Sequence, residues 1–154
     1  MTTNKKPYCK IKNILLIIPD YIFIQTNMEE IFYTKDNYWF SVENDVATVG
    51  ITNFLLDEMD MINFVELPTI GNICSKTELI GQINYNSDEK LDLFSIFNGK
   101  IVDINDSLID NCEQLFGNDI ENSWLYRINV DSKSELEEEA MTKDQYDEYL
   151  EEVK

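Results

Sequence analysis

Beyond residue 31, apolar and polar positions alternate with a period of two over short runs, the mark of half-buried strands. Tyr38, Phe40 and Val42 alternate with Trp39, Ser41 and Glu43, and Asn44-Asp45 supplies a pair that tolerates the backbone of a tight hairpin turn. Residues 46–51 return as the partner strand. Thr52 is a candidate N-cap for a short helix over 53–59, with Phe54, Leu55 and Met59 as its apolar residues. Residues 62–67 read as a strand stopped by Pro68, with Gly71 in the turn that follows. Over 80–101 two apolar-rich arms flank a polar tip, residues 84–90, which predicts a hairpin pushed out into solvent. Residues 99–104 are expected to extend its second arm. Asn105 or Asp106 can cap a helix ending near Phe116, with Leu108, Cys112 and Leu115 at helical spacing. Residues 124–130 give one more strand. From Ser132 the chain is acidic and helical, with a Thr142/Gln145 capping box and an apolar stripe of Tyr146, Tyr149, Leu150 and Val153. The sum is a mainly β fold, a small sandwich or flattened barrel with short peripheral helices and a C-terminal helix.

Composition narrows what such a fold can do. The chain has 154 residues, room for one domain with a real core, and a formal net charge of -18 from 30 acidic and 12 basic residues. That balance argues against nucleic acid and anionic membranes and favours docking on basic partners. The absence of histidine removes the commonest general base and the usual metal ligand, so no catalytic and no metal-binding residue is assigned. Cys9, Cys74 and Cys112 are far apart, form no CxxC pair and no zinc spacing, and read as reduced, packed thiols. Residues 1–30 form an N-terminal extension, basic at first (Lys5, Lys6, Lys10, Lys12) and then apolar. An organelle transit peptide, a secretory signal and an ordered extra strand are all open for it; the apolar run is too short to span a bilayer. Residues 31–154 are the expected domain.

Other motifs fail on chemistry. Asp103, Asn105, Ser107 and Ile109 fall at the alternating positions of a calcium loop, but Leu108 stands where glycine is required and Gln114 where glutamate is. Glycines are too sparse for a phosphate loop. Glu135, Glu137, Glu138 and Glu139 read as a solvated helix face, and Tyr38-Trp39-Phe40 as core packing rather than a ligand platform.

A set of short blocks carries a resemblance. Tyr33-Thr34-Lys35, Trp39, the run Asp45-Val46-Ala47-Thr48-Val49-Gly50-Ile51-Thr52, Phe64-Val65-Glu66-Leu67-Pro68 with Gly71, Asp92-Leu93-Phe94-Ser95, Gly99 and Trp124 resemble the glycine cleavage system H protein family. The resemblance covers roughly residues 33–150. It implies a barrel-sandwich hybrid of the lipoyl and biotinyl carrier type, with lipoate on a lysine at the hairpin tip. It also implies three partners: glycine decarboxylase, aminomethyltransferase and dihydrolipoyl dehydrogenase. Such a protein is a carrier, not an enzyme; its cofactor holds an aminomethyl group between active sites.

The tip departs from the family pattern, which reads approximately Glu-Ser-Val-Lys-Ala. Counting back from Asp92 places the lipoyl position on Asp88; counting forward from Gly81 places it on Ser87, because the tip is one residue longer. Lys90 is the only lysine of the tip and the candidate displaced attachment site, shifted by roughly 7 Å along the strand. Lipoate is therefore expected if Lys90 is modified, and otherwise no cofactor. A family member without lipoate, acting as an interaction or regulatory module, is the other expectation. A monomer in the mitochondrion or a related organelle is expected, with the cytoplasm as the alternative.

Overall fold

A computed structural model describes residues 30–117 and 120–153. The N-terminal extension and Cys9 lie outside these residues. Two sheets form the domain. The larger has the order β1-β2-β3-β9-β8-β5, from Phe32–Tyr33 (β1), Tyr38–Glu43 (β2), Val46–Ile51 (β3), Tyr126–Val130 (β9), Gly99–Ile104 (β8) and Ile73–Cys74 (β5). The smaller has the order β4-β6-β7, from Ile62–Glu66 (β4), Leu79–Tyr85 (β6) and Glu89–Phe94 (β7). This is the mainly β carrier-type architecture read from the sequence, with Asn44 and Asp45 both at positive φ in the β2–β3 turn.

The core lies between the sheets. Phe40, Val49, Tyr126, Ile128 and Ile101 of the large sheet face Ile83 and Leu93 of the small one, all buried. Each such aliphatic or aromatic side chain contributes about 1.5–3 kcal/mol relative to leaving it in water. The alternation expected of β2 is incomplete, because both of its faces are covered: Trp39 and Ser41 are buried as well as Tyr38 and Phe40. Trp39 lines a cleft of about 670 Å³ on the far face with Phe54, Tyr146 and Leu150.

Residues 99–104 do not extend the second hairpin arm. They form β8, which pairs with β9 and β5 in the other sheet. The chain crosses between sheets over residues 95–98, where Ser95 Oγ donates to the Phe97 carbonyl at 2.6 Å and Phe97 is fully buried, edge-on to Phe40 at 5.1 Å. An uninterrupted strand would have left Phe97 without this core position.

The helices are shorter than the periodicity predicts. Helix α1 spans only Asn53–Leu56, and the Thr52 hydroxyl does not cap it. Instead Tyr146 donates its hydroxyl hydrogen to Asn37 Oδ1 at 2.8 Å, so the Thr52 hydroxyl, 2.8 Å away, donates to the Tyr146 oxygen. The single helix expected before Phe116 is broken at Asn111 into α2 (Ser107–Asp110) and a 3-10 turn (Cys112–Phe116). Neither Asn105 nor Asp106 gives a side-chain cap: Asn105 uses Nδ2 on the carbonyls of Asn122 and Trp124. Helix α3 (Ile120–Ser123) precedes β9, which starts at Tyr126 rather than Trp124. The acidic tail forms two helices, α4 (Lys133–Glu139) and α5 (Lys143–Val153). The Thr142/Gln145 capping box is present, with backbone N–H donations in both directions at 2.9 and 3.2 Å. Tyr146 is buried by α5 packing and stacks on Tyr33 at 5.0 Å, whereas Val153 at the end of the stripe is exposed. Cys74 and Cys112 are free thiols, as expected.

Candidate functional site at the β6–β7 hairpin

The hairpin follows from its own alternation. Gly81 and Ile83 of β6 and Leu91 and Leu93 of β7 point inward, while Gln82, Asn84, Lys90 and Asp92 point out. The register pairs Ile83 with Leu91, Asn84 with Lys90 and Tyr85 with Glu89, leaving Asn86, Ser87 and Asp88 as the turn. Gly81 is required by the third strand: a Cβ there would overlap the Glu66 carbonyl of β4, which runs close beside it. So the first arm is the middle strand of three, and β7 is the edge.

The tip is therefore less free than a hairpin pushed out into solvent. Asn86, at φ 53°, is bonded to the segment that leads into β4. Its N–H donates to the Met61 carbonyl at 2.7 Å, and its own carbonyl accepts from Asn63 Nδ2 at 2.7 Å. Its Oδ1 accepts from the N–H groups of Asp60 at 2.8 Å and Met61 at 3.3 Å. Asparagine tolerates the left-handed backbone, which was legible in the sequence as turn chemistry; its long-range partners were not.

Beyond Asn86 the residues 87–90 are all exposed. The two positions expected to carry the attachment lysine, Ser87 and Asp88, sit in the turn and offer a hydroxyl and a carboxylate. Neither forms an amide with a carboxylic acid cofactor. Lys90 lies two residues into β7, facing out in a row with Asn84 and Phe64. It is the only amine between Leu79 and Phe94. It has no carboxylate partner among the ion pairs of the described residues. An accessible, unpaired amine is what acylation needs, so Lys90 fits the attachment chemistry that the turn itself does not. In the next outward row, Gln82 Nε2 donates to Asp92 Oδ1 at 2.9 Å. Partial burial, with Glu89 opposite, raises the Tyr85 phenol above its ordinary pKa.

The base of the hairpin is tied to the large sheet and to α4. The Phe94 N–H donates to the Tyr38 hydroxyl at 2.9 Å. Asn98 accepts from the Lys76 N–H at 2.8 Å and donates twice to Glu135. The cleft beside Trp39 is lined by none of the hairpin residues. Among the described residues no cluster of His, Cys, Asp or Glu is arranged to hold a metal ion, and no helix is long and apolar enough to cross a membrane.

Comparison with known proteins agrees with this architecture. The family described as glycine cleavage H-protein matches residues 31–153. The glycine cleavage system H protein of Staphylococcus epidermidis is 34% identical over 121 residues, 79% of this chain and 94% of that protein. That of Thermotoga maritima is 35% identical over 107 residues, 69% of this chain and 85% of its own. The crystal structure of an H protein from Mycobacterium marinum is similar in fold, with a TM-score of 0.67 at 23% identity, covering 80% of this chain and 96% of that one. The chain belongs to the glycine cleavage H-protein family.

Proposed function

We propose that the chain is the H-type carrier of a glycine cleavage system and that Lys90 is the residue to which lipoate is attached. Its role is to carry and present, not to catalyse. Family membership supports the carrier role; the exposed, unpaired amine of Lys90 on the edge strand supports the attachment point. When bound, lipoate supplies a dithiol that holds an aminomethyl group. The protein's own part is to hold the amine outside the sheet, on the exposed face of β7. Glycine decarboxylase, aminomethyltransferase and dihydrolipoyl dehydrogenase are the partners this role requires. The net charge of -18 favours basic docking faces and an association that weakens as salt is raised. Residues 31–154 constitute the carrier domain, and the protein acts as a monomer. The basic, acid-poor start supports delivery to a mitochondrion or a related organelle; cell fractionation distinguishes this from a cytoplasmic carrier.

Intact-mass measurement after expression with a lipoate–protein ligase tests the assignment. One lipoyl addition is expected on the wild-type chain and none on Lys90→Arg. An unmodified wild-type mass, or an addition that survives Lys90→Arg, overturns it and leaves the fold as a docking module without cargo.

A further inference from the structure

Resting on that reading, we infer that Asn86 is a positioning residue for the acylation of Lys90: by fastening the hairpin turn to the start of β4, it fixes where the amine is presented. Short exposed turns ordinarily sample many conformations, because ordering each residue opposes the loss of backbone entropy. Here one residue uses its backbone N–H, its carbonyl and its side-chain oxygen on four bonds to residues 60–63. All four run toward β4, on the side of β6 opposite β7. The turn is thereby anchored on one side while residues 87–90 stay open.

Lys90 stands four residues after Asn86, in the second ladder pair from the turn. The last two pairs, Tyr85 with Glu89 and Asn84 with Lys90, are the part of the ladder most subject to fraying. Without the Asn86 bonds, the backbone that carries Lys90 loses its fixed end. Attachment is a positional reaction. The neutral Lys90 Nζ forms a C–N bond to the acyl carbon of an acyl adenylate, the C–O bond to the phosphate breaks, AMP leaves, and one proton passes from Nζ to solvent. Rates of such bimolecular steps fall steeply when the nucleophile is misplaced by about an ångström.

The roles of the carboxamide and of the φ 53° backbone separate by substitution. Asn86→Gly keeps the left-handed conformation without strain but removes Oδ1. Asn86→Asp keeps an oxygen that accepts from the Asp60 and Met61 N–H groups. The full chain is acylated with lipoate, ATP and a lipoate–protein ligase, and the mass gain is followed over a range of protein concentrations. Amide hydrogen exchange at Asp60 and Met61 is measured on the same proteins. Asn86→Gly is expected to lower kcat/KM for acylation about tenfold and to speed exchange at both amides. Asn86→Asp is expected to restore the rate to within about twofold. A mass gain that Asn86→Gly leaves at the wild-type rate, while those amides exchange faster, overturns the positioning role alone. A fall that Asn86→Asp does not rescue does the same. No mass gain on the wild-type chain removes Lys90 as the attachment point, and this inference with it.

Discussion

The carboxylate of Glu135 on α4 accepts two hydrogen bonds from Asn98, one from its backbone N–H at 2.9 Å and one from Nδ2 at 3.1 Å. Asn98 closes the crossing between the two sheets, so this contact ties a helix with no buried residue to the base of the hairpin. Glu135→Ala is expected to destabilise the domain by about 1–2 kcal/mol, the usual range for charge-assisted bonds in a partly exposed place. Urea unfolding checks it, and a double substitution with Asn98→Ala should be less than additive.

Trp39 and Gly50 are opposed in the β2–β3 register, and a Cβ at Gly50 would overlap the indole ring. Gly50→Ala is expected to lower stability by about 1–3 kcal/mol through overpacking. Phenylalanine lacks Nε1 and Cζ2, two of the three indole atoms that a Cβ would meet, so in a Trp39→Phe background the same change should be milder. Equal losses in both backgrounds in a thermal-unfolding cycle would exclude the steric explanation.

Burial raises the phenols of Tyr38, Tyr126 and Tyr146 above their ordinary value of 10.0. A raised folded-state pKa gives stability that is complete below pH 10 and is lost as pH climbs through the folded values, because the unfolded chain ionises first. Lys76 and Lys143, raised by their bonds to Glu139 and Asp147, act in the same direction. Stability should therefore fall above about pH 10, each tyrosine adding up to about 1.4 kcal/mol per pH unit. Urea midpoints across this range test it. Tyr126→Phe should make the decline shallower. At neutral pH it should change stability by less than about 1.5 kcal/mol, since the buried Tyr126 hydroxyl meets only the Ile96 backbone and the Ser95 side chain, with no hydrogen bond of good geometry.

The Tyr146 hydroxyl joins Asn37 and Thr52 to α5. Tyr146→Phe keeps the stacking on Tyr33 but strands the buried Thr52 hydroxyl, with an expected loss of about 1–2 kcal/mol. The helix should open first, so limited proteolysis is expected to cut within α5 sooner than in the wild type.

What the sequence revealed and what it hid divide by range. Local chemistry was readable: the positive-φ pair Asn44-Asp45, the Thr142/Gln145 box and the inward alternation of Ile83, Leu91 and Leu93 are decided by neighbours a few residues away. Long-range chemistry was not. Thr52 has the composition of a cap, but a tyrosine 94 residues away takes its hydroxyl. Residues 99–104 have the composition of a continuing strand, but burial of Phe97 sends them to the other sheet. At the candidate site, Lys90 and the empty-handed Ser87 and Asp88 could be read directly. Asn86 looked like any turn former, because Asp60 and Met61 carry no side-chain signal that their backbone will meet it.

The outward direction of Lys90 is set by Leu91 and Leu93, whose partly buried and buried side chains hold β7 in one register. A strand's faces alternate by parity, so slipping β7 by one residue would put both leucines into water. The turn, not the strand, must therefore absorb any change in loop length. Insertions and deletions between Asn86 and Glu89 can accumulate without turning the amine toward the core. The length of the turn and the direction of the Lys90 side chain are therefore set by separate parts of the hairpin.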